Sequence, residues 1–199
     1  MKDIVNFLFE IGILSKTPRS FFSLLGHGNQ SVSEHINRVT FIGYTLAMLE
    51  KNADITKVIK MCLFHDIAES RVSDLNYVHQ QYVKSSEEKA VEELTKKLPF
   101  GEDIRAVIKE YEERKTKEAI LAKDADSLEW ILSLKEQYDT GNTRAKKWLD
   151  KVVDRLQTET AKKIVKEILD TDSNDWWDKK DGPETIVTEL KRKRLKHNL

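Results

Sequence analysis

Residues 60–69 read KMCLFHDIAE, an apolar run that ends in a histidine and two carboxylates. Helical spacing places His65 and Glu69 on the same stripe as the apolar Cys62. Asp66 falls on the neighbouring stripe. These polar groups therefore continue a face that should be buried. Because burying an ionisable group without a partner costs several kcal/mol, they require a metal ion, a counter-charge or a substrate.

The composition is that of a helical globular chain. Among 199 residues there are 34 Lys+Arg, 34 Asp+Glu, 3 Pro and 7 Gly. The helical periodicity and the scarcity of helix breakers predict an all-α fold in one domain over residues 1–199. We expect a core at about 10–170 and a C-terminal helical extension at about 171–199.

Charge and cysteine content restrict the partners and the setting. The formal net charge is zero, which argues against binding to long nucleic acid but not against binding a single nucleotide. The single Cys62 excludes an internal disulfide framework and favours a reducing, cytoplasmic location. No apolar run approaches the roughly 20 residues that span a bilayer, so no membrane partner is expected.

A second histidine begins another buried face. Residues 31–34, Ser-Val-Ser-Glu, form a plausible N-terminal cap for a helix that extends to about residue 51. His35 starts its inward stripe, which continues through Val39, Ile42, Leu46 and Leu49. Gly43 would destabilise this helix by about 1 kcal/mol relative to Ala, so we expect a neighbouring helix to approach closely there. A following helix, capped by Asp54, is predicted to include residues 65–69.

A third helix, predicted at 116–139, carries two aspartates on different stripes. Asp124 lies with Leu121 and Leu128, and Asp126 lies with Ala122 and Trp130. Both stripes are apolar, so spacing does not choose between the two. The candidate site thus combines two histidines and at least two carboxylates: His35, His65, Asp66 and either Asp124 or Asp126, with Glu69 and Asp74 nearby. Such a set suits a divalent transition metal with open positions for water, and not a closed thiolate site.

At this point the order of motifs resembles the HD-domain metal-dependent phosphohydrolases. The matching segments are Ser33-Glu34-His35, then residues 65–69 with Asp74, then residues 123–128, KDADSL. Within that superfamily, Pro18-Arg19 before the first segment and Leu75 after Asp74 resemble the 5'-deoxynucleotidase branch. The resemblance implies a single compact helical HD-domain bundle.

The resemblance also implies a role for each site residue. The ligands of a divalent cation, such as Mn, Co, Fe, Ni, Zn or Mg, would be His35, His65, Asp66 and Asp126. Asp124 would then be a solvent-exposed or ion-paired residue. Glu69 matches the residue that handles the proton of the attacking water, Asp74 matches one that helps orient this water, and Arg19 matches the arginine that holds the substrate phosphate.

The implied reaction is release of phosphate from (deoxy)nucleoside 5'-monophosphates by a phosphoric monoester hydrolase. One departure concerns substrate preference: Arg19 is followed by Ser20-Phe21-Phe22, where related enzymes carry a tryptophan in the sugar-reading loop. Hydrolysis of nucleoside triphosphates or cyclic phosphodiesters, and a non-catalytic helical module that binds metal or nucleotide, are the alternatives. Related enzymes are often dimers, so the resemblance raises a homodimer as an expectation.

Overall fold

The computed structural model describes residues 1–177, which form helices joined by turns and loops. In chain order the helices are α1 (Lys2–Ile11), α2 (Phe22–Leu25), α3 (Val32–Leu49), α4 (Ile55–Phe64), α5 (Glu69–Val72), α6 (His79–Tyr82), α7 (Glu87–Thr95), α8 (Gly101–Glu113), α9 (Lys117–Asp139), α10 (Arg144–Val153) and α11 (Glu159–Asp170). A 3₁₀ helix, Gly12–Ser15, follows α1. The all-α prediction is confirmed.

Helix α9 lies at the centre of the fold and is buried on almost every side. It packs against α3, α4, α8, α10 and α11. Leu121 and Leu128 from one predicted stripe are buried, and so are Ala122 and Trp130 from the other. The ionisable Asp124 and Glu129 of the same helix are buried as well and have hydrogen-bond partners on neighbouring segments. Because both stripes of α9 face neighbouring helices, the periodicity could not show which aspartate faces a functional site.

Helices α3 and α4 form a closely packed pair beside α9. A capping box begins α3: Ser31 Oγ accepts from the Glu34 amide at 3.2 Å, and Glu34 Oε2 accepts from the Ser31 amide at 2.6 Å. In the middle of α3, a Cβ atom added to Gly43 would collide with Cys62 Sγ on α4. The predicted close approach at Gly43 is therefore confirmed. Leu49 is 60% exposed because the chain turns away from the helix immediately after it, so its predicted inward position is wrong.

Helix α4 begins at the predicted Asp54 cap, whose Oδ1 accepts from the Lys57 amide at 3.0 Å, but it ends at Phe64. The prediction that the helix includes residues 65–69 is wrong. His65 Nδ1 donates to the Cys62 carbonyl at 2.9 Å, and this carbonyl would accept from the Asp66 amide in a continuing helix. Tighter turns follow, with the Glu69 amide bonded to the Asp66 carbonyl at 3.0 Å. His65 and Asp66 thus lie on a turn between α4 and α5, and Glu69 is the first residue of α5.

The segment between the 3₁₀ helix and α3 forms a loop whose two ends are joined. Pro18 and Ser31 make an antiparallel bridge. The Arg19 amide donates to the Gln30 carbonyl at 2.8 Å, and the Val32 amide donates to the Thr17 carbonyl at 2.9 Å. The base of this loop, which we call the 17–32 loop, is therefore held to the start of α3.

Two predictions concern the ends of the chain and its relation to a bilayer. Residues 171–177 form turns, so this part of the predicted C-terminal extension is not helical. The remainder of that extension, residues 178–199, lies outside the described residues. Within residues 1–177, no helix combines the length and the apolar character that a bilayer span requires.

Candidate metal centre and adjoining cleft

Four side chains from three parts of the fold bring ligand atoms together beside α9. His35 lies in the first turn of α3, His65 and Asp66 lie on the turn after α4, and Asp126 lies in the middle of α9. The two Nε2 atoms of His35 and His65 are 3.4 Å apart. Asp66 Oδ2 lies 3.5 Å from His35 Nε2 and 3.2 Å from His65 Nε2. Asp126 Oδ1 lies 3.2 Å from His35 Nε2 and 4.0 Å from His65 Nε2.

In each imidazole, the hydrogen bond made by Nδ1 determines whether Nε2 of the neutral ring carries a proton or a lone pair. His65 Nδ1 faces the Cys62 carbonyl, which can only accept, so this nitrogen carries a proton. His35 Nδ1 lies 2.6 Å from Glu129 Oε2 and donates to that carboxylate. In the neutral tautomers both Nε2 atoms therefore present lone pairs toward the carboxylates of Asp66 and Asp126. The convergence of these nitrogens with two carboxylates attracts positive charge, which is either a proton on His35 or a metal ion.

The spacing of these acceptors fits a small divalent cation. Nitrogen and oxygen ligands lie about 2.0–2.2 Å from Zn²⁺, so neighbouring ligands in a tetrahedral or octahedral shell are roughly 3.0–3.5 Å apart. The distances around Asp66 and the His35–Asp126 distance match this range, and the ligand atoms of His35, His65 and Asp126 all lie within 4.8 Å of one another. His35, His65 and Asp126 thus form one compact set, and Asp66 adjoins it through its contacts with both histidines.

The electrostatics of the centre follow from burial and from opposite charges. Burial raises the pKa of Asp66, but the imidazoles of His65 and His35 and the Arg19 guanidinium hold it well below its usual range. For Asp126, burial is likewise outweighed by Lys123 and His35, which keep its pKa low. Burial and Arg19 lower the pKa of His35, but hydrogen bonds to Asp126 and Glu129 raise it to about 9. The protein alone thus keeps both carboxylates charged and attracts positive charge to His35.

Arg19 approaches the same centre from the base of the 17–32 loop. Its Nη1 atom lies 3.3 Å from Asp66 Oδ2 and 2.8 Å from Asp74 Oδ2. The other oxygen of Asp74 accepts from Ser20, from the amide at 3.0 Å and from Oγ at 2.7 Å. Burial opposes the charged form of Arg19, but Asp66 and Asp74 raise its pKa above the ordinary value. Arg19 is therefore a fixed cation beside one predicted ligand.

Glu69, the first residue of α5, lines the cleft that opens next to Arg19, Asp74 and Asp126. Its Oε2 atom is buried and has no hydrogen-bond partner in the structure. Burial and the negative charges of Asp66 and Asp74 raise the pKa of Glu69 to about 10, against a smaller opposing effect of Arg19. A carboxyl group that lines a polar cleft and has a strongly raised pKa has the properties of a proton donor.

The cleft has a volume of about 390 Å³. Besides Arg19, three cationic residues line it: Arg114, Lys123 and Arg155. Aromatic side chains of Phe21, Tyr77 and Trp130 contribute another part of its wall. The Tyr77 ring is stacked on Trp148 with centroids 5.5 Å apart, which fixes its orientation. The cleft thus combines charged groups for an anion with flat apolar surfaces. The sequence motifs had not assigned a role to these additional cations.

The structure separates the two aspartates of α9. Asp126 faces the histidines, and its Oδ2 atom is 2.7 Å from Lys123 Nζ. Asp124 is 1% exposed and points to the opposite side. It accepts from the amides of Gln157 and Thr158 at 2.9 and 2.8 Å and from Thr158 Oγ at 2.6 Å. The expectation that Asp124 is a solvent-exposed or ion-paired residue is wrong, because it supports the segment that leads into α11.

All seven predicted site residues are therefore close to one another. Four converge as acceptors, and Arg19, Glu69 and Asp74 line the adjoining cleft. Sequence reasoning missed Glu129, which bonds to His35. Its position one helical turn after Asp126 was the signal that could have identified it.

A family model described as HD domain matches residues 11–169. The chain belongs to this HD-domain family. Membership agrees with the motif order and with the geometry, and together with the acceptor cluster it supports a divalent cation as the cofactor.

Relatives and solved structures agree with this assignment. A Dictyostelium discoideum protein named 5'-deoxynucleotidase HDDC2 is 38% identical over 119 residues, which are 54% of this chain and 62% of that protein. The chain thus spans less than two thirds of that relative. A Schizosaccharomyces pombe protein named 5'-deoxynucleotidase hdd1 is 30% identical over 146 residues, 67% of this chain and 71% of that protein.

Among solved structures, a conserved hypothetical protein from Pyrococcus furiosus has a TM-score of 0.72 at 27% identity, covering 84% of this chain and 99% of that one. A predicted metal-dependent phosphohydrolase from Magnetospirillum magnetotacticum has a TM-score of 0.66 at 24% identity, covering 85% and 90%. The second likeness shows a shared fold. The HD-domain fold of this chain therefore extends over most of its described residues.

Proposed function

We propose that the protein is a metal-dependent 5'-nucleotidase that releases phosphate from (deoxy)nucleoside 5'-monophosphates. The observation that carries this proposal is the position of a partly buried arginine and a protonatable carboxyl group beside the converging atoms of His35, His65 and Asp126. Relatives named 5'-deoxynucleotidases support the nucleotide substrate. The cleft volume, about 390 Å³, lies within the roughly 300–1,000 Å³ typical of small-molecule sites.

His35, His65, Asp66 and Asp126 would hold the divalent cation. When bound, this cation would acidify the attacking water and stabilise negative charge on the phosphoryl group. The protein contributes the orientation of its ligands, since each imidazole is fixed from behind by a hydrogen bond. Identity of the native metal is not part of the proposal, because imidazole and carboxylate ligands suit several divalent ions.

Arg19 is proposed to bind the substrate phosphate. Both of its recorded ion pairs, within residues 1–177, use Nη1. Its Nε and Nη2 atoms therefore offer the planar pair of donors that phosphate oxygens prefer. Because Arg19 contacts Asp66, a phosphate held by it would lie next to the cation site. The aromatic residues Phe21 and Tyr77 in the same cleft would contact the nucleoside.

Glu69 is proposed to move the proton of the reaction. Hydrolysis forms a bond between the water oxygen and phosphorus, breaks the bond between phosphorus and O5', and requires a proton on the departing O5' atom. Because the pKa of Glu69 is raised to about 10, its carboxyl group is protonated at neutral pH, so it can give this proton to the departing O5' atom and then recover one from the attacking water. No covalent intermediate with the protein is needed.

Asp74 is proposed as a positioning residue. Its Oδ2 atom holds Arg19 and its Oδ1 atom holds Ser20, so both oxygens already have partners. This arrangement favours an action through Arg19 over the direct orientation of water that the resemblance implied. Asp74 would thus keep the guanidinium at the edge of the metal centre.

The decisive experiment is phosphate release from ribo- and deoxyribonucleoside mono-, di- and triphosphates, with single divalent metals added back to chelator-stripped protein. Monophosphate hydrolysis that depends on metal and is lost in Glu69→Gln would support the proposal. Hydrolysis of triphosphates or cyclic phosphodiesters without monophosphate release would establish the alternative HD-type reaction. Nucleotide binding without turnover, with any metal, would indicate a non-catalytic module.

Three further features belong to the same proposal: a single HD domain over residues 1–199, a cytoplasmic location and a homodimer. The family match over residues 11–169 supports the first. Light scattering of the purified protein would test the dimer, and limited proteolysis would test whether the chain behaves as one domain.

A further inference from the structure

The two oxygens of the buried Glu129 carboxylate contact different groups, and the fold alone does not require this difference. Glu129 is 0% exposed. Its Oε2 atom contacts His35 Nδ1 at 2.6 Å. Its Oε1 atom accepts from Arg38 Nε and Nη2 at 3.0 and 2.9 Å, from Gln30 Nε2 at 2.7 Å and from Ser133 Oγ at 3.1 Å. One oxygen is thus held by several donors, and the other is directed to a single histidine.

We propose that Glu129 is a positioning residue that holds His35 in the tautomer needed for metal binding. This inference rests on the proposed metal centre. A carboxylate only accepts, so Glu129 Oε2 requires the His35 proton on Nδ1 and leaves the lone pair on Nε2, the atom that faces Asp66 and Asp126.

Arg38 makes this arrangement rigid. Its guanidinium donates two hydrogen bonds to Oε1 of Glu129 and a third to Ser133 Oγ at 2.6 Å. It therefore supplies the counter-charge that a buried carboxylate needs and prevents the carboxylate from rotating. Gln30, at the end of the 17–32 loop, adds a donor to the same oxygen. The orientation of the His35 ring is consequently set by residues that do not touch the cation.

Replacement of Glu129 by glutamine tests the proposal without changing the size of the side chain. The amide has one oxygen, and the donors of Arg38 and Gln30 on the Oε1 side require it. The amide NH₂ group then faces His35 Nδ1, which must accept, and the ring proton moves to Nε2. Zn²⁺ should therefore bind to Glu129→Gln about 10–100-fold more weakly than to the parent protein, measured by competition with a chromophoric chelator.

Glu136→Gln is the matched control. Glu136 lies on the same helix, and its Oε1 atom accepts from Arg38 Nη1 at 2.6 Å, but it is half exposed and does not contact His35. This variant removes the same charge beside the same arginine and should retain the Zn²⁺ affinity of the parent. Equal Zn²⁺ affinity of Glu129→Gln and the parent, with or without a lower melting temperature, would overturn the proposal and assign Glu129 a purely structural role.

Nuclear magnetic resonance of the zinc-loaded parent gives a test that does not depend on folding of the variant. With nitrogen-15 in the imidazole rings, His35 should show a proton on Nδ1 and a metal-shifted Nε2 signal. Metal on Nδ1, or a proton on Nε2, would overturn the proposal for Glu129 while the metal centre itself stood. A parent protein that binds none of the divalent cations would instead refute the proposed function, and this inference with it.

Discussion

Replacing Asp124 and Asp126 of α9 by alanine, one at a time, distinguishes a structural role from a metal-binding role. In Asp124→Ala, the amides of Gln157 and Thr158 lose their acceptor in a partly buried position. Because water can partly reach these donors, each lost hydrogen bond should destabilise by about 1–2 kcal/mol, so the two together should lower the free energy of unfolding by about 2–4 kcal/mol. For a chain of this length, the melting temperature should fall by roughly 5–15 °C. Metal content should stay at the parent level.

Asp126→Ala should give the complementary result. Its Oδ1 atom is one of the four converging acceptors, so its removal should leave a shell with too few ligands. Metal analysis after gel filtration, together with thermal unfolding of the chelator-treated proteins, measures both effects in both variants. Loss of metal from Asp124→Ala with retention in Asp126→Ala would refute the assignment of the ligand. An unchanged melting temperature in Asp124→Ala would refute the estimate from buried hydrogen bonds.

Three other substitutions test separate parts of the molecule. Glu69→Gln should bind metal normally but lose about 10²–10⁴-fold in kcat, and near-normal turnover would show that another group moves the proton. Arg19→Ala should raise KM and lower kcat for monophosphates, with unchanged metal content. Equal activity of variant and parent would show that another residue binds the phosphate. Gly43→Ala should destabilise the protein by about 1–3 kcal/mol in chemical denaturation through its collision with Cys62, and Cys62→Ala in the same chain should relieve part of this loss.

Sequence periodicity predicted well the helices that bury one face. It predicted poorly where a helix ends when a local side-chain hydrogen bond ends it. The capping residues Ser31 and Asp54 and the close approach at Gly43 were identified from residue type and position. The end of α4 was not, because the hydrogen bond from His65 to its own preceding turn interrupts the helix without any glycine or proline. Leu49 was misplaced since hydrophobic periodicity does not show where the neighbouring helices stop.

The site, like the fold, was predicted in part from the sequence pattern, and the rest depends on contacts between distant residues. All seven predicted residues lie together, yet the choice between Asp124 and Asp126 came only from the resemblance, because both stripes of α9 are buried. Glu129 was overlooked since a glutamate on a helix is usually solvated, and its burial depends on Arg38, a residue 91 positions earlier in the chain. The spacing of Glu129 from Asp126 indicated its face of the helix, but its contact with a residue so distant in the chain cannot be predicted from spacing. The roles of the predicted ligands remain predictions for the experiments above.

The two ends of the 17–32 loop are bonded to each other and so connect two parts of the site. The tip of the loop makes neither of the two contacts. Arg19 reaches Asp66 from one end of this loop, and Gln30 reaches Glu129 from the other, while their backbones are bonded to each other. Phe21, Phe22 and Leu25 between these two positions are buried in the core, so only the exposed tip, residues 26–29, can change without moving either contact, as is usual for surface loops on a rigid support. The tip of the loop can therefore vary during evolution, while Arg19 and Gln30 keep their positions at the site.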